Sequence, residues 1–256
     1  MKLDIQGATV VRLRADNPSP MTLTGTNSYV VGVDDTAWVI DPGPRDAGHI
    51  AELAQIAREL GSPAGIALTH DHGDHSEGLQ MLSEKLGGGV PVLRHGTDMP
   101  DAPVEPIHTP GHAADHLVFR LGDTIFSGDL LLGGSSTIIP PGGGTLIAYL
   151  DSLRAVAALA PSLILPGHGE AITDATSALT GQLEHRLARE AALLDAFEDG
   201  LRGREELLSK VWHDVPEALR LAAHVTMQSH LEKLDIEGRL PADFERDGRA
   251  GWHGVG

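Results

Sequence analysis

At 256 residues, 41% of them apolar, the chain can form one large domain, or one domain with a small appendage, around an ample core. A formal net charge of −17 argues against unspecific attraction to nucleic acid or anionic membranes. The absence of cysteine excludes disulfides and confines any metal site to nitrogen and oxygen ligands.

The N-terminal MKLDIQGATVVRL lacks the apolar core of a signal peptide, and no run is long enough to span a membrane, which together fit a cytoplasmic protein. NSYVVGV and TAWVIDPGP read as adjacent strands with Gly, Asp and Pro in the turns. HIAELAQIAREL has apolar residues at helical spacing and ends at Gly61, a C-cap residue. The strand GIALTH runs into a histidine cluster, after which a helix-like stretch closes at Gly87. PVLRH is a further short strand, and HLVFRLG with DTIFSGD forms a hairpin about Gly122-Asp123. TLIAYLDSLRAVAALA is a helix and LILPGHGE a strand. Strands recurring with interspersed helices indicate a layered α/β or α+β fold.

From Gln182 the texture changes, so that residues 1–181 form the main domain and 182–256 an appendage. QLEHRLAREAALLDAFEDG is a long amphipathic helix; REELLSKVW, ALRLAAHVTMQSHLEKLDIEG and RLPADF follow in the order of a small winged-helix module. The tail DGRAGWHGVG reads as loose. Acids outnumber bases from Gln182 onward, which favours helical packing or a homodimer over nucleic-acid binding for the appendage. His224 and His230, in its second helix, read as packing or solvent-facing residues.

The stretch THDHGDHSEG places His70, His72, Asp74 and His75 where a strand meets a helix. Alternate residues of an extended segment point the same way, so one metal can take His70 and His72 while a neighbour takes Asp74 and His75. Imidazole nitrogen and carboxylate oxygen suit zinc, and also manganese or iron. Further ligands stand on similar strand-end loops: His112 in TPGHAADH, Asp129 in FSGDLLL and His168 in LPGHGE. Glycine beside each permits close backbone approach.

The ordered set HDHGDH, TPGHAADH, FSGD and LPGHG resembles the metallo-β-lactamase-fold hydrolases over residues 8–180. The resemblance implies an αββα sandwich with two Zn2+, or Mn2+ or Fe2+, at one edge. It implies His70, His72 and His112 on the first metal, Asp74, His75 and His168 on the second, and Asp129 bridging both. It also implies a supporting role for Asp41 in VIDPGP, for which turn capping is the other reading. GTNSYVVG, GGSSTIIPPGG, HRLARE and HVTMQSHLEKLDIEGRL are similar to the lactamase-beta-like protein 2 subfamily. Its characterised members are metal-dependent endonucleases of single-stranded RNA.

The implied reaction is hydrolysis by a hydroxide shared between two metals and oriented by Asp74, with no Ser or Cys nucleophile. His116 is a candidate proton donor to the leaving group, or else a histidine held at a strand start. Asn27, Ser136 and Thr137 are candidate hydrogen-bond partners of substrate oxygen, or else turn formers. GGSSTIIPPGGGTL carries no Lys, Arg or aromatic residue, which disfavours a glutathione thioester; His72 and the intact second site disfavour flavodiiron and persulfide dioxygenase chemistry. Single-stranded RNA is one expected substrate, and a small ester, thioester or lactone the other. A non-catalytic metal-binding module is the reading from outside enzymology.

Overall fold

In the computed structural model, which describes residues 1–140 and 142–244, six strands lie side by side in chain order. They are β1 (Lys2–Ile5), β2 (Ala8–Arg14), β3 (Asn27–Val33), β4 (Thr36–Ile40), β5 (Ser62–Ala67) and β6 (Val92–Leu93). The first four pair antiparallel. Helix α1 (Ala47–Leu60) then carries the chain across to β5, which pairs parallel to β4. Asp46 caps α1 by accepting from the His49 N–H, and Gly61 ends it as expected. Beyond β5 come α2 (Gly73–Ser76) and α3 (Leu79–Lys85). A second sheet holds β7 (Glu105–His108), β8 (Leu117–Leu121), β9 (Thr124–Gly128) and β10 (Leu163–Pro166), in the order β10-β9-β8-β7. Its β8–β9 hairpin turns at Gly122-Asp123, and α4 (Leu146–Ala158) crosses over to β10.

Side-chain alternation along these strands creates the layers. Tyr29 and Val31 of β3 meet Phe119, Phe126 and Leu165 of the second sheet in a core between the two sheets. Val30 of the same strand points the other way, with Val39 and Ile66, onto Ile50, Leu53 and Ala57 of α1. On the far face of the second sheet, Val118, Ile125 and Ile164 pack against Tyr149, Leu153 and Val156 of α4. The result is the αββα sandwich, with the loops that follow β5, β7, β9 and β10 gathered at one edge.

Three boundaries differ from the sequence reading. The strand expected over GIALTH starts at Ser62 and stops at Ala67, because the Thr69 N–H turns to the Asp41 carboxylate instead of a neighbouring strand. The helix expected after the histidine cluster is broken into α2 and α3 at Gly78, whose N–H donates to the Gly43 carbonyl and which lies tight against Ile50. The long helix expected from Gln182 is α5 (Ala175–Glu198), started by Asp174, which caps it by accepting from the Ser177 N–H. The boundary expected at 181/182 therefore lies inside a continuous helix. Ala175 and Leu179 belong to the α4 core, and Leu193, Ala196 and Phe197 to a third one.

That third core unites the end of α5 with α6 (Arg204–Val211) and α7 (Arg220–Ile236) through Leu207, Trp212, Met227 and Leu231. The tail DGRAGWHGVG lies outside the described residues. His224 stands half-buried beside Glu205, 3.1 Å away. His230 is fully buried, its ring edge-on to Trp212, and neither ring nitrogen has a hydrogen-bond partner. Burial, reinforced by the charges of Arg186, Lys233, His185 and Arg189, pushes its pKa down to about 3. The folded chain thus keeps this imidazole neutral, whereas the unfolded chain protonates it near its ordinary value. The stability it contributes is complete above that ordinary value and is lost as pH falls towards about 3. Between pH 7 and pH 4 this one group costs on the order of 3 kcal/mol. Denaturant unfolding of the wild type and of His230→Leu at the two pH values will show a smaller acid loss in the variant by that amount.

Candidate metal centre

The edge site begins at Asp41, directly after β4, held at φ 50°, a left-handed conformation that Asp tolerates better than most residues. Its buried carboxylate accepts from the Thr69 N–H and the Thr69 hydroxyl, both at 2.8 Å, and lies 2.8 Å from His75 Nδ1. Asp41 is therefore a support for the histidine loop, beyond capping a turn. Because the Thr69 hydroxyl donates to Asp41, it accepts from His70 Nδ1, 3.0 Å away. His112 Nδ1 donates to the Ile138 carbonyl at 2.7 Å and His168 Nδ1 faces the Gly25 carbonyl at 3.4 Å. In each of these four rings the outer nitrogen is anchored to oxygen, and Nε2 is left facing inward.

The inward atoms crowd together. His72 Nδ1 lies 2.9 Å from both His70 Nε2 and His112 Nε2. His75 Nε2 and His168 Nε2 are 3.2 Å apart, with Asp74 Oδ2 3.2 Å from the latter. Asp129 stands between the two groups. One of its oxygens is 3.5 Å from His112 Nε2; the other is 3.4 Å from both His75 Nε2 and His168 Nε2. That second oxygen is buried with no hydrogen-bond partner. Glycines make this approach feasible: a Cβ at Gly167 would sit 2.7 Å from the His75 ring, and Gly128, at φ 47°, would strike Thr69.

Electrostatics favour a cation here. Burial, with the neighbouring His75 and His116, holds the His70 pKa well below its ordinary value, and burial with His112 lowers that of His72. Both rings thus present lone pairs. For His75 burial also acts downward, but the carboxylates of Asp129 and Asp41 overcome it and raise its pKa well above the usual range. Burial opposes ionisation of Asp129, yet His75 and His168 keep its carboxyl well below the ordinary value. The spot calls for positive charge: a proton in the metal-free chain, or a metal ion in its place. Imidazole lone pairs at 2.9 Å and an unpartnered buried carboxylate oxygen are a donor set that divalent cations satisfy. His70, His72 and His112 make one convergent group, Asp74, His75 and His168 another, and His70, His75 and Asp129 a third between them.

Other candidates are placed differently. His116 is fully buried; its Nε2 accepts from the Asp129 N–H at 3.1 Å, which leaves its Nδ1 to donate to the Thr109 hydroxyl at 2.9 Å. With both nitrogens committed it cannot hand a proton to a leaving group, and it positions Asp129 instead. Asn27 is likewise fully buried, donating to the Pro166 and Gly169 carbonyls and accepting from Arg14, so it ties β3 to the His168 loop and does not reach substrate. The Thr137 hydroxyl is spent on the Asp129 carbonyl. Ser136 remains half-buried at a cavity of about 220 Å³ that reaches His112 and Asp129. Two contributors escaped the sequence reading. Thr69 adjoins the cluster, but only the fold brings its hydroxyl to Asp41. Arg186, in HRLARE, is buried against the Thr137 carbonyl from 49 residues away.

The family comparisons agree with this geometry. The metallo-beta-lactamase superfamily model matches residues 21–96 and 88–168, and a beta-lactamase associated winged helix domain matches residues 204–252. The chain belongs to the metallo-beta-lactamase superfamily, whose members are metal-dependent hydrolases, and carries a C-terminal winged-helix domain. It is 32% identical to the Beta-lactamase-like protein 2 homolog of Drosophila melanogaster over 94% of this chain and 92% of that one. It is 30% identical to an atrochrysone carboxyl ACP thioesterase of Aspergillus novofumigatus over 92% of this chain and 81% of that one. Among solved structures, a metallo-beta-lactamase family protein from Thermus thermophilus shares the fold. It has a TM-score of 0.67 at 22% identity, covering 91% of this chain and 95% of that one. No described helix is long and apolar enough to cross a membrane.

Replacing Asp41 with Ala strands the buried Thr69 N–H and hydroxyl and the His75 Nδ1–H. Denaturant unfolding of metal-free protein will show a loss on the order of 3 kcal/mol or more.

Proposed function

We propose that the chain is a dinuclear metal-dependent hydrolase of a small thioester or ester. The observation that carries this reading is Asp129, whose two oxygens face the two histidine groups while one of them lacks any other partner. His70, His72 and His112 would hold one divalent cation, Asp74, His75 and His168 the other, with Asp129 shared. Zinc suits these donors, and manganese and iron are compatible with them. Bound there, the cations would bring a water near neutral pKa and polarise the scissile carbonyl. Asp74, about a third exposed, is the carboxylate at the mouth of the site. Burial resists its ionisation, but His168 and His75 lower its pKa, so it stays an acceptor that can orient the attacking water. No serine or cysteine nucleophile is required.

The acyl class is supported by the thioesterase relative and by the largely apolar cavity beside His112 and Asp129. Single-stranded RNA is the second reading, favoured by the winged-helix match and the subfamily resemblance. A net charge of −17 weighs against it, because polyanion binding draws on basic surface. A complete donor set weighs against a non-catalytic module.

Metal analysis of loaded protein is expected to give about two equivalents per chain, one for each donor group. Chelation should abolish cleavage of a chromogenic thioester, and Asp74→Ala should lower its kcat by about 100-fold or more. Cleavage of labelled RNA with thioesters untouched would select the second reading. In His168→Ala the metal content should fall towards one equivalent, because Asp74 and His75 alone cannot replace the missing nitrogen. Equal loss of both metals would contradict the division of ligands.

A further inference from the structure

The cavity that touches His112 and Asp129 does not end in the sandwich. Its walls continue through Met21 and Leu132 to Trp212, Val215, Leu219 and Ala223, residues of the C-terminal unit. Its volume of about 220 Å³ is below the ~300–1,000 Å³ usual for whole small ligands, so it suits one part of a molecule and not a polymer strand.

One wall residue is out of keeping with an apolar pocket. Arg186 is 1% exposed, and no carboxylate among the described residues pairs with it. It donates to the Thr137 carbonyl and lies over the Tyr149 ring, 5.5 Å from its centroid, while its Nε has no partner. Arg189, one turn on, lines the same cavity but is paired with Asp214 at 2.8 Å. A buried guanidinium without a counter-ion is costly unless something compensates it. Its neutral partners, the Thr137 carbonyl and the Tyr149 side chain, are weak reasons to keep a full charge there, since a neutral donor would serve. An anion entering the cavity supplies the missing partner.

We propose that this cavity receives the acyl group of the substrate, and that the acyl group is apolar with a single anionic substituent met by Arg186. The proposal deepens the thioester reading and rests on it. With the scissile carbonyl against the His112 and Asp129 end, the acyl chain extends towards Trp212 and Ala223, so the C-terminal domain forms part of the substrate pocket. This departs from the expectation that the appendage serves packing or dimerisation alone. A polyanionic strand is disfavoured because, among the described residues that line the cavity, Arg186 is the one buried cation without a carboxylate partner, whereas a monoanionic acid matches it.

The test uses metal-loaded full-length protein and two non-hydrolysable amide analogues of an aryl thioester, identical except for a carboxylate on the ring of one. Equilibrium titration should show the carboxylated probe binding wild type about tenfold or more tightly than the neutral one, as a charge-assisted hydrogen bond provides. Arg186→Gln should remove most of that advantage, and Arg186→Lys, which keeps the charge, should restore much of it. Ala223→Phe, which fills the cavity from the C-terminal side, should weaken both probes by about tenfold or more. Equal binding of the two probes to wild type overturns the proposal, as does binding of both unchanged by Ala223→Phe. Should Arg186→Gln fail to fold, the wild-type and Ala223→Phe titrations still decide. Thioester turnover is measured in parallel. If no thioester is cleaved while the probes bind as expected, the hydrolase reading fails and the pocket assignment stands. If thioesters are cleaved but the probes bind equally, the reverse holds.

Discussion

Everything at the working edge depends on one constraint: several imidazole rings must turn their inner nitrogens towards one another. Lone pairs at 2.9 Å repel unless a cation lies between them, so the rings need to be held from behind. The chain does this with oxygen: the Thr69 hydroxyl for His70, the Asp41 carboxylate for His75, the Ile138 carbonyl for His112. Each anchor fixes the tautomer as well as the direction of its ring, which is what a metal ligand requires. The left-handed backbone at Asp41 and the early end of β5 follow from this need.

The same constraint explains how distant parts of the chain are drawn in. Asp129 is held from three sides, by the His116 ring on its N–H, by Thr137 on its carbonyl and by the histidines on its carboxylate. Thr137 is in turn gripped by Arg186 of α5, and α5 continues into the core of the winged-helix domain. A continuous helix with one half in each core is a stiff connection. The orientation of the C-terminal domain is thereby tied to the loop that bears on the histidine and aspartate cluster.

Much of the sandwich was legible because its cause is local. Strands β3 and β4 carry β-branched residues between turn formers, and α1 shows helical spacing up to a glycine. The early start of α5 was hidden because ATSALTG mixes β-branched, small and glycine residues that read as loop, while the cap on Asp174 shows only in the fold. The strand β7 (EPIH) is short, contains proline and is mostly exposed, so it lacks the apolar run by which strands are recognised.

The sequence by itself brought out the candidate centre: seven side chains with nitrogen or oxygen donors on four strand-end loops, in an order that leaves few other uses for them. Ligand identity and spacing along one strand end are properties of covalent connectivity, so a reader of the chain can find them. Only the tertiary structure decided the use of the residues around them. His116 and Asn27 looked available to substrate, but their polar atoms are consumed by partners far apart in the chain. Arg186 looked like one charge among many on an amphipathic helix, and became a buried one, with no carboxylate partner among the described residues, when two cores closed around it. Exposure and hydrogen-bond occupancy depend on what packs against a side chain, and no local pattern of residues encodes that.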